Sequence, residues 1–143
     1  MSMEKPTQFA ISIKQPWAAL VVAGHKTIEI RRWPTARRGR VWIHAARVPD
    51  NRVEGWRRVP NSLADLSQLH GGIIGSVDLT DCVKYADLAA FLSDQAHHCN
   101  EAEWFEPKGL YGFKFTEPRM QPFQAYPGWF RFFKVEAVAT AGG

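Results

Sequence analysis

Lys26, Glu29 and Arg31 stand within six residues of one another and carry both charge signs. Glu29 and Arg31 share one face of a strand, about 7 Å apart by two residues of rise, so both heads can reach one ligand. A carboxylate accepts protons from the amino or imino groups of a base, and a guanidinium offers a planar fork to a phosphate or carbonyl oxygen. Lys26 falls on the opposite parity, with Ile28 and Ile30. At the first residue of a strand, just after Gly24 and His25, its long stem can still snorkel to a rim. Partial desolvation there, or Arg31 nearby, would lower its pKa and make it a credible general base. The same trio also reads as an ion-pair network that pins this strand to the preceding helix.

Charge is unevenly spread. Residues 1–71 hold 12 Lys or Arg against 5 Asp or Glu, a balance of +7, whereas residues 72–143 hold 6 against 9, a balance of −3. Nine arginines fall within residues 31–58, opposed only by Asp50 and Glu54 and accompanied by Trp33, Trp42 and Trp56. Guanidinium groups beside flat rings suit phosphates and unstacked bases. Arg32, Arg37, Arg38 and Arg40 are the expected phosphate contacts, with Gln15, Trp17 and His44 beside the cleft. A solvated arginine face over a Trp-rich core is the plainer alternative. Docking of the basic segment 47–59 on an acidic protein partner is a third reading, from another functional class.

The positioning elements follow from period. Phe9, Ile11 and Ile13 alternate with smaller or polar neighbours as a strand. Pro16 opens a short helix carrying Trp17, Leu20 and Val21, and Gly24 ends it. Residues 26–31 alternate again, as do 41–45. Residues 47–59, bounded by Pro49 and Pro60, read as an excursion or arm. A short helix capped by Ser62 and Asp65, a strand from Ile73 in which Ile73, Val77 and Leu79 share a face, and a helix after Asp87 come next. Tyr111, Phe113 and Phe115 alternate, and 129–135 reads as a last strand covered on both sides. Residues 139–143 read as a frayed tail. Strands with short helices between them give an α+β fold, a small mixed barrel.

At 143 residues, 45% hydrophobic and 22% charged, the chain is expected to form one domain over 1–143 with a core that needs no staple. No apolar run approaches the roughly 20 residues that span a bilayer, and the first eight residues are polar, which fits a cytoplasmic protein without membrane attachment. Cys82 and Cys99 are expected as thiols. His97, His98 and Cys99 are adjacent, so they cannot all converge easily on one tetrahedral ion, and no metal or cofactor is expected. Asp78 and Asp81 read equally as cleft carboxylates or turn formers.

The segment from Ser12 to Arg31, SIKQPWAALVVAGHKTIEIR, resembles the ASCH domain family. The family signature G-x-K-x-x-E-x-R is matched by Gly24, Lys26, Glu29 and Arg31, and the upstream Q-P-W by Gln15, Pro16 and Trp17. GRVWIHAA from Gly39 and GIIGSVDLTDC from Gly72 extend the likeness. The resemblance implies a PUA-like barrel whose cleft is flanked by the first helix, and a ligand that is RNA or a modified nucleoside. It also implies an alternative activity, a small hydrolase that cleaves RNA or removes an acyl group from a modified cytidine. The small deacylating relatives place threonine three residues after the lysine, where this chain has Glu29.

Overall fold

The computed structural model describes residues 7–136 and 138. Six strands, β1 (Gln8–Ile13), β2 (Ile28–Arg31), β3 (Gly39–Ala45), β4 (Gly72–Tyr85), β5 (Leu110–Ala125) and β6 (Phe132–Val135), form one sheet ordered β2-β5-β4-β3-β1-β6. The sheet curls into a half-barrel. β1 and β3 run parallel, with Ile11 opposite Ile43, and every other neighbouring pair is antiparallel. Among the described residues four short α-helices, α1 (Trp17–Val22), α2 (Val53–Trp56), α3 (Leu88–Ser93) and α4 (Gln95–His98), and three 3₁₀ turns lie between the strands. None of the helices among the described residues is long and apolar enough to cross a membrane.

All six residues of α1 are buried. A helix apolar all round belongs inside a core, and α1 packs there against β3, β4 and β5. Gly24, at φ +82°, takes the left-handed position that closes it. The core cluster joins Leu20 and Val21 to Ile11, Ile13, Val41, Ile43, Val77, Leu79 and Phe113 on one sheet face. Ala10, Trp42, Ile73 and Phe133 form a second cluster on the other.

Four expectations are corrected. The second strand starts at Ile28, so Lys26 lies in the turn before it, held by its backbone N–H to the Leu20 carbonyl at 3.1 Å. Strand parity therefore does not govern Lys26. Ile74, not Ile73, shares the core face of β4 with Val77 and Leu79, because a register shift between Ile73 and Gly75 inverts the alternation. The helix near Ser62 is two 3₁₀ turns, Asn61–Leu63 and Leu66–Gln68, without a side-chain cap. The last strand begins only at Phe132, and Trp129 and Phe130 before it are 70% and 76% exposed. The tail at 139–143 and most of the polar first eight residues lie outside the described residues.

Candidate functional site

Lys26, Glu29 and Arg31 meet at a cavity of about 700 Å³ on the inner side of the half-barrel. Glu29 stands between the two cations. Its Oε1 lies 3.6 Å from Lys26 Nζ, while Oε2 accepts from Arg31 Nη2 at 2.8 Å and Nε at 3.2 Å. Arg31 Nη2 also donates to the Ser12 carbonyl at 2.9 Å, which ties β2 across to β1. Lys26 Nζ donates to the His98 carbonyl and stands 5.1 Å from the Trp17 ring centroid. Burial pushes the Lys26 ammonium below its ordinary pKa range, against the upward pull of Glu29. Lys26 is 2% and Glu29 8% exposed, whereas the Arg31 side chain keeps 23%. The floor of the cleft is thus an ordered three-charge row with its guanidinium end reachable from solvent.

A second charged group builds the wall. Trp17 Nε1 donates to Asp50 Oδ2 at 2.9 Å, and Arg52 Nη2 donates to the same oxygen at 2.7 Å. Burial by itself would raise the Asp50 carboxyl, but the hydrogen bonds from Arg52 and Trp17 outweigh it and hold the group at about 2. The Arg52 guanidinium lies 3.8 Å from the Trp104 ring centroid, and Trp104 meets Trp17 edge-on at 6.0 Å. The segment 47–59 is therefore docked rather than extended from the body. Trp56 Nε1 donates to the Asp50 carbonyl at 2.7 Å, and a Cβ on Gly55 would come within 2.7 Å of the Trp17 ring. Trp33 also lines the cavity, edge-on to Phe113 at 5.1 Å.

The other residues expected at the cleft divide. Trp17 and Arg32 line it, and Arg32 is held at the rim by Glu106 at 2.7 Å. Gln15 does not line it. The Gln15 side chain is fully buried, its Nε2 donating to the Leu66 and Leu69 carbonyls at 2.9 and 3.0 Å and its Oε1 accepting from Ala19 N–H at 3.0 Å. Gln15 instead anchors α1 to the 3₁₀ turns. His44 faces away from the cleft, with Nδ1 2.9 Å from Ser12 Oγ and Nε2 2.7 Å from the Tyr126 carbonyl, and burial lowers its pKa. Arg37, Arg38 and Arg40 line a separate cavity. Asp78 and Asp81 stand 3.6 Å from Arg40 and Arg38 and do not reach the cleft.

The sequence reading missed Asp50, Arg52 and Trp104 as wall residues. Their only sequence signal was Asp50 as an acid inside an arginine-rich stretch. His98 is buried, stacked on Phe91 at 4.2 Å, with Nε2 2.7 Å from the Phe91 carbonyl. Both cysteines are free thiols, Cys99 buried and Cys82 half-buried. Among the described residues no three His, Cys, Asp or Glu side chains converge as a metal site would require.

A curled mixed half-barrel with an apolar helix inside it and a charged cleft at the helix's end defines a PUA-like domain. The chain belongs to the ASCH domain family, whose profile matches residues 11–139. That family is associated with RNA binding. A crystal structure of ASCH from Zymomonas mobilis superposes with a TM-score of 0.63 at 16% identity, over 90% of this chain and 87% of that one. A mutant of the same bacterial protein gives 0.63 over 92% and 91%. Activating signal cointegrator 1 of Mus musculus is 33% identical over 91 residues, 52% of this chain and 14% of that protein. Its Homo sapiens counterpart is 33% identical over 92 residues, again 52% and 14%. The matched region is thus a small part of those relatives.

Proposed function

We propose that the chain binds single-stranded RNA or a modified nucleoside, seating one base and its sugar over the row of Lys26, Glu29 and Arg31. The observation that carries this reading is the convergence of all three on one open cavity, whose volume suits a nucleoside-sized ligand. Arg31, with Nε and Nη2 held by Glu29 and the Ser12 carbonyl, offers Nη1 to a carbonyl or phosphate oxygen, and Glu29 accepts from an amino or imino group. Trp33 and Trp104 supply ring surface at the cavity. Calorimetric titration with nucleosides and short RNA tests it. Glu29→Gln and Arg31→Ala are each expected to weaken binding about tenfold or more. Unchanged affinity in both variants rejects the cleft as the binding site.

Hydrolysis of RNA or of an acylated nucleoside is a second reading, favoured by the lowered pKa of Lys26 at the cleft floor. A neutral amine there takes a proton from water or an attacking hydroxyl, and Arg31 steadies the developing oxyanion. Turnover should then rise with pH and vanish in Lys26→Ala. A parent protein that turns over neither RNA nor any acylated nucleoside removes this reading.

A further inference from the structure

The cleft makes no use of Arg37, Arg38, Arg40 or Arg119. These four line a second cavity of about 550 Å³, one wall of which is the outer face of the sheet. The register places it there. Trp42 pairs with Ser76 and Ser76 with Arg119, so their side chains share one face, while Val41, Ile43 and Val77 carry the core on the other. Among the described residues no carboxylate lines this cavity. Asp78 and Asp81 stand at its margin, partly exposed and 3.6 Å from Arg40 and Arg38. Arg40 Nη1 donates to the Glu117 carbonyl at 2.7 Å, but Nη2 is buried without any hydrogen-bond partner.

We propose that this outer cavity is a second binding site, for the phosphodiester backbone of a single-stranded nucleic acid, and that it works independently of the cleft. Among the described residues every cation lining it is an arginine, whose planar fork grips two phosphate oxygens at once. The Arg37 guanidinium carbon lies 3.5 Å from the Phe9 ring centroid and 5.3 Å from that of Phe132, contacts that hold its plane while leaving its N–H edge to a phosphate. The RNA association of the family favours a phosphodiester over an acidic polypeptide as the occupant. The strand it binds runs over the sheet face opposite α1, so the molecule offers two nucleic-acid surfaces rather than one.

The test follows fluorescence anisotropy of a short labelled single-stranded RNA with the full chain as salt is raised. The double variant R37A/R119A should bind about tenfold more weakly at moderate salt, and the slope of log K against log salt should become shallower by about 1.4, two lost phosphate contacts. Arg119→Gln alone, at an exposed position, should shift the slope by about half as much. Nucleoside binding in the cleft should be the same in parent and variants. If the parent binds no nucleoside while the oligonucleotide slope still depends on Arg37 and Arg119, the cleft reading fails and this one stands. Unchanged affinity and slope in variants that melt like the parent overturn the outer site. Poly-glutamate bound as tightly as RNA, and lost with the same substitutions, also overturns it by assigning the cavity to an acidic protein.

Discussion

In the cleft, Lys26 and Arg31 share Glu29, Arg52 is matched by Asp50, and Arg32 by Glu106. On the outer face, Arg37 and Arg119 have no ion pair among the described residues. The two arrangements read different properties of a ligand. Paired arginines have fixed orientation and little spare field, so they select by hydrogen-bond pattern and respond weakly to salt. Unpaired ones project charge into solvent, attract at long range and are screened readily.

Breaking the pairing in the cleft should therefore cost stability, whereas the outer face should lose only binding. Glu29→Ala leaves two cations facing each other and is expected to destabilise the fold by about 3 kcal/mol in urea titration. Stability close to that of the parent would mean the row is not coupled. Asp50 comes next. Its pKa falls from 3.8 to about 2 on folding, so its contribution, about 2 kcal/mol, is complete above the unfolded value and is lost as pH falls through the folded one. Urea midpoints followed into acid should show that loss in the parent and not in Asp50→Asn. Trp17→Phe removes one donor from Asp50 and should cost about 1.5 kcal/mol, with faster proteolysis inside 47–59. The smallest change is Arg32→Ala. Its side chain is 81% exposed, and the variant should melt together with the parent.

Local pattern was enough for β1, β3, α1 and the helix after Asp87, which the structure shows to be capped by the Asp87 carboxylate accepting from Ala90 N–H at 2.8 Å. The signature residues were legible for the same reason, since all lie within one short stretch. The cleft wall was not, because topology builds it: Asp50 N–H reaches the Gln15 carbonyl at 2.8 Å across 35 positions of chain. The short helix expected near Ser62 gives way to two 3₁₀ turns, whose Leu66 and Leu69 carbonyls are taken by Gln15, a partner remote in sequence. Trp129 and Phe130 misled because aromatic content says nothing of which side a ring faces.

The side-by-side, same-direction course of β1 and β3 has a consequence for how this molecule tolerates rearrangement. Two such strands require a return connection of a dozen residues or more, and here that strap contains α1 and β2, with Trp17, Lys26, Glu29 and Arg31 on it. Deletions within the strap would pull apart neighbouring strands at the same moment as they erase the cleft. A lineage of such chains can alter ligand preference residue by residue, but it cannot excise the pocket and keep the scaffold.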